Sequence, residues 1–307
     1  MRAPTLATLI FLLAAPAAAQ SIPNRAFDAS EVGGVISTAM GADVSAKHNQ
    51  PCVVNGALLL AGNGEHTFWD ISDPYRPRFL SAFDSPHNDG EAESHQVTFQ
   101  RRHDGSEWRT YAAMINGLGV ELWDLSDVFE PVLLSTVDIE GVEYGDNTEA
   151  VWGVFWQGAA LYVGGTSTGL HVVDTTDLSD PSVAARLTTD ELGGVIAGPL
   201  WALGNHLVIT TPKEFAGVAT VDITDPWNPG LLASELPAEE SYIGGFYGGE
   251  AYLLTPFRVY DVTTDPAAIT ELASVETPDS EYVSFGQGYA FVGSMRPNAG
   301  NYKYDLA

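Results

Sequence analysis

The chain has 307 residues and a formal net charge of −27, from 13 Lys and Arg against 40 Asp and Glu. A surface of that sign repels nucleic acid and anionic membranes, so both are poor partners. The 31 Gly, 18 Pro and many aromatic and β-branched residues disfavour helical classes, and a single Cys excludes an intrachain disulfide.

The first 19 residues have the pattern of a signal peptide. Arg2 forms a short basic head, Leu9–Ala15 is apolar, and Ala17–Ala19 offers a small-residue cleavage site before Gln20. The apolar part is too short to span a bilayer, and no later segment does better, so no transmembrane segment is predicted. These features predict a mature protein that is secreted, periplasmic or on the cell surface.

A motif of Asp, Ser or Thr, a second Asp and Pro recurs along the chain. Six runs of strand-forming residues each end in an Asp, namely Asp70, Asp124, Asp174, Asp222, Asp261 and Asp305. After the first four, Ser or Thr follows at two residues, Asp at three and Pro at seven; the fifth copy is shifted and the sixth stops early. Short side chains hydrogen-bond nearby amides and Pro ends pairing, so each motif predicts a turn between two strands.

The spacing of these motifs indicates the fold. Successive first Asp residues are 39 to 54 positions apart, and each interval contains four short apolar runs. Periods of about 40–50 residues with four strands per unit are typical of β-propeller blades. The sequence therefore predicts an all-β chain, a β-propeller of four-stranded antiparallel blades over residues 46–307.

Residues 20–45 supply a candidate closing strand. The run Val35–Thr38 is similar to Leu133–Thr136, which is predicted as the outermost strand of a blade. The last repeat stops at Asp305–Ala307, just before its own outermost strand. An N-terminal strand in that place would close a ring of six blades and leave no open edge. The alternative is that further blades follow residue 307.

Two runs in the third repeat resemble a known family. Leu161–Val163 and Leu170–Asp174, followed by the Asp-Pro turn, look like the LVIVD repeat. The resemblance implies a β-propeller of the kind found in secreted or surface proteins of bacteria and archaea. Its motif is structural and implies no catalytic residue.

Two isolated features are interpreted as structural. Gly165–Gly169 matches the G-x-S-x-G pattern of hydrolases, but that motif needs a helix after the Ser, and here a strand follows. We interpret it as a turn between two strands. Cys52 lies in a strand-forming run and is predicted to be a buried thiol.

The segments that connect one blade to the next carry the candidate site. They bring His48, His95 and Glu149 to comparable positions before three successive innermost strands, with Glu93 two residues before His95. Imidazole and carboxylate groups are good ligands for a divalent metal ion, so these four residues are the candidate metal site.

The same segments have other interpretations. If no metal binds, His48, His95 and Glu149 with Trp152 and Tyr242 would form a polar pocket with aromatic walls, suited to a small polar ligand. The plain alternative is a solvated acidic loop.

No catalytic or cofactor motif accompanies the repeats. The function predicted from the sequence is therefore a secreted or cell-surface propeller that acts as a non-enzymatic binding or scaffold module, with a protein or a small polar ligand as its partner. The alternative is a metal-dependent propeller enzyme, a hydrolase or lyase, with its site at the mouth of the central channel.

Overall fold

The computed structural model describes most of the chain from residue 48 onward, and all of its regular elements are β-strands. The described residues are 48–62, 64–86, 96–116, 118–142, 150–212, 217–237, 244–253, 257–275, 282–286, 288–293 and 302–305. Within them, 23 strands form five antiparallel sheets of four strands and one of three.

Each sheet is built from consecutive strands and is called a blade below. Blade 1 comprises β1 (His48–Val54), β2 (Ala57–Gly62), β3 (Glu65–Asp70) and β4 (Arg78–Asp84). Blade 2 comprises β5 (Val97–His103), β6 (Trp108–Ile115), β7 (Gly119–Asp124) and β8 (Val132–Asp138). Blade 3 comprises β9 (Gly153–Gln157), β10 (Ala160–Gly164), β11 (Leu170–Asp174) and β12 (Ser182–Leu187). Blade 4 comprises β13 (Leu200–Leu203), β14 (His206–Thr210), β15 (Val218–Asp222) and β16 (Gly230–Glu235). Blade 5 comprises β17 (Gly245–Tyr247), β18 (Glu250–Leu253), β19 (Phe257–Asp261) and β20 (Thr270–Val275). Of blade 6 the structure describes β21 (Tyr282–Gly286), β22 (Tyr289–Gly293) and β23 (Tyr302–Asp305).

The blades stack face to face in chain order. Five clusters of buried apolar side chains lie between neighbouring blades, from blades 1 and 2 to blades 5 and 6. First strands of neighbouring blades also lie against each other, β5 on β9, β9 on β13 and β17 on β21. A sheet buried on both faces needs such stacking, because one blade alone cannot cover its own apolar surface. The predicted β-propeller of four-stranded blades is confirmed.

Closure of the ring lies outside the described residues. The candidate closing strand in residues 20–45 and the end of the sixth repeat are both among the residues not described. Six blades closed by an N-terminal strand therefore stays a prediction.

The repeated Asp residues form the predicted turns. The first Asp of each motif accepts a hydrogen bond from the backbone N–H two residues on, at 2.8 to 3.0 Å, in blades 1 to 5. The second Asp does the same at 2.8 to 3.1 Å, even in the shifted fifth copy. All of these bonds lie within one turn, which explains why the sequence spacing is so regular.

The third and fourth strands of each blade share a further feature that the sequence did not predict. In blades 1 to 5 their pairing register shifts between the second and the first residue before the motif's first Asp. A β-bulge at this point bends the strand and increases its twist. The blades therefore repeat in backbone geometry as well as in turn sequence.

Cys52 lies in β1, as predicted, and is half-buried, so it is less buried than the strand thiol that the sequence predicts. Its strand is the innermost of blade 1, and the residues on either side of it are exposed. Burial of the sulfur is still enough to raise the pKa of the thiol to about 11, which keeps it protonated and unreactive at neutral pH.

Acid is expected to lower the free energy of unfolding through the turn carboxylates. Hydrogen bonds from Ser72 lower the pKa of Asp70 to about 2, and hydrogen bonds from turn residues lower the pKa values of Asp174, Asp222 and Asp261. Because these pKa values are depressed in the folded state, their stabilisation is complete above the unfolded pKa of about 3.9 and is lost as the pH falls towards the folded values. Thermal denaturation between about pH 5 and pH 2 measures this loss.

A matched pair of triple variants isolates the turns. Replacing Asp174, Asp222 and Asp261 with Asn should flatten the pH dependence, because Asn keeps the acceptor but does not titrate. Replacing the exposed Asp84, Asp138 and Asp190 with Asn changes the net charge equally, but their carboxylates accept none of the turn hydrogen bonds. Equal flattening in both variants would contradict the assignment.

Candidate functional site

The two ends of the blades carry different connections. At one end lie the links between blades and the turns between second and third strands, and we call this end the link face. At the other end lie the first hairpin turns and the Asp motifs, and we call it the Asp-turn face. This division follows from the antiparallel order of the strands in each blade.

Most of the site residues predicted from the sequence fall outside the description. Glu93, His95, Glu149 and Tyr242 are not among the described residues, and of His48 only the backbone at the start of β1 is described. Their convergence on a metal ion therefore stays a prediction. Within the described residues, no group of three or more His, Cys, Asp or Glu is placed to hold a metal ion.

Trp152 is the one predicted site residue whose surroundings are described. Its side chain is only 1% exposed, just before β9 on the link face. Its backbone N–H donates to the carbonyl oxygen of Gly164 at 3.0 Å. The indole therefore forms part of the packed base of the link face.

Gln96, which follows the predicted metal ligand His95 in the sequence, lies against the innermost strands of blades 3 and 4. Its Oε1 accepts hydrogen bonds from the backbone N–H groups of Val154 at 3.1 Å and Leu200 at 3.4 Å, and its Nε2 donates to the Leu200 carbonyl at 3.1 Å. One side chain from blade 2 thus joins the innermost strands of blades 3 and 4. No pattern in the sequence indicates this role.

Further side chains of β5 continue the contact along β9. Thr98 Oγ1 accepts from the Trp156 backbone N–H at 3.2 Å, and Gln100 Nε2 donates to the Gly158 carbonyl at 2.9 Å. β9 is the edge strand of its sheet, and Thr98 bonds one of its backbone N–H groups, while Gly158 lies in the turn that follows β9. Blades 2 and 3 are therefore joined along the axis by polar side chains.

The G-x-S-x-G segment is the turn between β10 and β11, as predicted. Gly165 N–H donates to the Gly169 carbonyl at 2.9 Å, and Ser167 is exposed without a helix behind it. Within this turn Thr166 is unusual, because its φ is +52° although it is β-branched. Its backbone exchanges hydrogen bonds with Ala197 at 2.8 and 3.2 Å, which ties the turn to the link that precedes blade 4.

Three buried side-chain donors at this face have no hydrogen-bond partner among the described residues. They are Thr166 Oγ1, His66 Nε2 and Asn116 Nδ2, and all three residues are at most 1% exposed. Asn116 Oδ1 accepts from the N–H groups of Leu118 and Gly119, so only its NH2 group is without a described partner. A buried donor without a partner costs about 1–3 kcal/mol, so three at one face require an explanation.

His66 is fixed in one tautomer. Its Nδ1 accepts from the Gly62 backbone N–H at 3.2 Å, so the ring proton sits on Nε2. Burial lowers the pKa of His66 to about 4, so the ring is neutral at physiological pH. It therefore presents one N–H donor and no charge.

A buried carboxylate lies near His66, at the contact between blades 1 and 2. Glu121 is 1% exposed, and its oxygens accept from Ser85 Oγ at 2.5 Å and Trp123 Nε1 at 2.9 Å. The Phe83 ring contacts both His66 and Trp123, with ring centres 5.0 Å and 4.8 Å away. This polar group inside an apolar interface was not predicted, although an acid three residues before Asp124 could have drawn attention to it.

A second buried histidine is hydrogen-bonded to the turn between β10 and β11. His171 Nε2 lies 2.9 Å from Thr168 Oγ1, and that hydroxyl donates to the Gly165 carbonyl at 2.7 Å. Burial, with the nearby charge of Arg186, lowers the pKa of His171 to about 4. The neutral ring stabilises the turn that holds Thr166.

Solved structures share the fold of this chain. A Lactobacillus plantarum protein is 15% identical with a TM-score of 0.63, covering 84% of this chain and 82% of its own. A periplasmic gluconolactonase from Pseudomonas aeruginosa is 12% identical with a TM-score of 0.52, covering 72% and 67%. A candidate 6-phosphogluconolactonase from Bacteroides fragilis is 11% identical with a TM-score of 0.52, covering 74% and 70%.

At these identities the likeness shows the fold alone. No family model and no curated protein sequence matches the chain, so the resemblance to the LVIVD repeat stays a prediction. In the described residues no helix has the length and hydrophobicity needed to cross a bilayer.

Proposed function

We propose that this propeller is a binding protein for a small, uncharged, oxygen-rich ligand such as a sugar, held at the link face. The main support for this proposal is the geometry of Thr166, a buried β-branched residue with positive φ whose hydroxyl has no partner among the described residues. Strain and an unpaired donor each lower stability, and such features are concentrated at functional sites. A ligand oxygen that accepts from this hydroxyl would compensate for both.

The other unpaired groups favour the same class of ligand. His66 Nε2 and Asn116 Nδ2 are neutral donors, and they suit hydroxyl or carbonyl oxygens. The net charge of −27 opposes anionic ligands such as phosphorylated sugars. We also propose that the mature protein is secreted or displayed at the cell surface, as the first 19 residues predict.

Replacing Thr166 with Val is expected to raise stability and weaken ligand binding. Valine keeps the shape but removes the unpaired hydroxyl, so the unliganded variant should gain about 1 kcal/mol. Affinity for the ligand should fall about tenfold, which is the loss of one hydrogen bond worth about 1.4 kcal/mol. Thermal denaturation and calorimetric titration with neutral sugars and sugar lactones measure the two effects.

The control variant is Thr220→Val. The Thr220 hydroxyl donates to the Pro266 carbonyl between blades 4 and 5, so its loss should destabilise the protein and leave ligand affinity unchanged. If Thr166→Val also destabilises, or binds every ligand as the parent does, the proposal fails.

The second candidate function is hydrolysis of a neutral sugar lactone. It is favoured by the gluconolactonase among the fold neighbours and by the predicted metal ligands His48, Glu93, His95 and Glu149 in the links. Acid release from glucono-1,5-lactone above the spontaneous rate, lost with a chelator and in His95→Ala, would support it. Binding without turnover in a metal-loaded sample would reject it.

A further inference from the structure

The Asp-turn face carries most of the exposed aromatic rings in the described residues. Phe129 is 62% exposed, Trp108 is 61% exposed and Trp227 is 38% exposed. Tyr75, Phe79 and Tyr247 are also exposed at this end of their strands or turns. Of the exposed aromatic residues that the structure describes, only Phe291 lies elsewhere, in the middle of β22. Exposed aromatic surface gathered at one face is typical of a binding surface.

The turn motif places these rings beside carboxylates. Tyr75, Phe129 and Trp227 each stand two residues after the second Asp of their motif. Their backbone N–H groups donate to that Asp, at 3.1 Å for Tyr75 and Trp227 and 2.8 Å for Phe129. The same turn therefore fixes a ring and a negative charge next to each other, and this pairing favours cations.

Blades 1 and 2 supply arginine to this face from their own chain. Arg78 donates to Asp70 Oδ2 at 2.5 Å, and Arg109 donates to Asp124 Oδ2 at 2.9 Å. Arg101 in blade 2 also lies 5.9 Å from the ring centre of Trp108. In these blades the first Asp of the motif is thus bonded by the turn and by a guanidinium group.

Blades 3 to 5 have the same carboxylates, and no described arginine or lysine bonds them. Arg102 of blade 2 reaches the turns of blade 3, but it bonds Thr175 and the Gly158 carbonyl there and not the carboxylate of Asp174. Asp174, Asp222 and Asp261 are bonded only by residues of their own turns. Their motifs and first hairpin turns contain no Lys or Arg, over residues 174–181, 222–229, 261–266, 157–160, 203–206 and 247–250. The carboxylate oxygen that accepts from arginine in blades 1 and 2 is therefore available to a partner in blades 3 to 5. The exposed Trp227 lies in the same turn as Asp222, and the exposed Tyr247 lies at the first hairpin turn of the blade that contains Asp261.

We propose that the Asp-turn face of blades 3 to 5 is a docking surface for an arginine-rich segment of a partner protein. Guanidinium groups from the partner would take the places that Arg78 and Arg109 take in blades 1 and 2. Asp174, Asp222 and Asp261 would accept their hydrogen bonds, and Trp227 and Tyr247 would provide rings for cation–π contact. Arginine fits better than lysine, because its planar group can bond a carboxylate and stack on a ring together.

A labelled nona-arginine peptide tests this surface by fluorescence anisotropy in 0.15 M NaCl. The triple variant Asp174→Asn, Asp222→Asn, Asp261→Asn is expected to bind about tenfold more weakly, from three exposed ion pairs of modest strength each. Asn keeps the turn acceptors, so the fold is retained. The variant with Asn at positions 84, 138 and 190 loses the same three charges away from this face and is expected to bind as the parent does.

The aromatic contribution is tested separately. Trp227→Ala is expected to weaken peptide binding about threefold, because one exposed cation–π contact is lost. Phe291→Ala, which removes an exposed ring from β22, is expected to leave binding unchanged. Equal weakening by the two triple variants would overturn the proposal, because it would show attraction to the overall charge only. No binding in 0.15 M salt, or no effect of Trp227→Ala, would also overturn it.

Discussion

Gly164→Ala is expected to destabilise the propeller by about 3 kcal/mol, the upper end of the usual range for overpacking a core. Gly164 ends β10, where a Cβ atom would lie 2.2 Å from the carbonyl oxygen of Gly198 and 2.9 Å from that of Ala197. Both obstacles are backbone atoms of the link before blade 4, so no side chain can rotate away. Relief would require the contact between blades 3 and 4 to separate.

The control is another strand glycine. At Gly230, in β16, a Cβ atom would meet nothing within 4 Å. Gly230→Ala is therefore expected to be neutral or to stabilise by about 0.5 kcal/mol through the unfolded state. Chemical denaturation of both variants measures the difference, and a similar midpoint for the two would show that the blades tolerate separation at this point.

Arg102→Met is expected to cost about 2–4 kcal/mol, because it removes several charged hydrogen bonds at once. The Arg102 guanidinium lies 4.8 Å from the ring centre of Trp156 and donates to the Thr175 carbonyl at 2.6 Å and to Thr175 Oγ1 at 2.9 Å. It also donates to the Gly158 carbonyl at 3.0 Å. This one side chain of blade 2 therefore holds two separate turns of blade 3.

Its neighbour Arg101 provides the matched control. Arg101 is exposed, and its guanidinium lies 5.9 Å from the ring centre of Trp108. Arg101→Met removes the same charge, so a change within about 0.5 kcal/mol is expected. If both variants unfold at the same denaturant concentration, Arg102 does not join the blades as its geometry indicates.

The fold could be predicted because its signal is local. Asp174 accepts a hydrogen bond from the amide of Thr176, two residues on, so the residue spacing alone is enough to predict the turn. The same holds for each copy, including the fifth, where the second Asp at position 265 bonds Ala267 despite its shifted place. Strand order then follows from the short turns, since consecutive antiparallel strands pair with their neighbours.

The site could not be predicted in the same way, because it depends on contacts between distant positions. Gln96 and Leu200 are 104 residues apart, and no spacing rule connects them. Thr166 has an ordinary residue type in an ordinary Gly-rich turn, and only its φ and burial distinguish it. The predicted ligands His48 and His95 lie in or next to the links, and their side chains are outside the described residues.

The bonds from Gln96 and Thr98 to β9 have a consequence for how a partner could be recognised. Many peptide-binding domains add the peptide as an extra strand on an exposed sheet edge. Here the edge amides of Val154 and Trp156 already have acceptors from within the chain. Strand addition on the axial side of blade 3 is therefore blocked, which also protects this edge from pairing with another copy of the protein. Whatever binds near the axis on this side must be recognised through side chains.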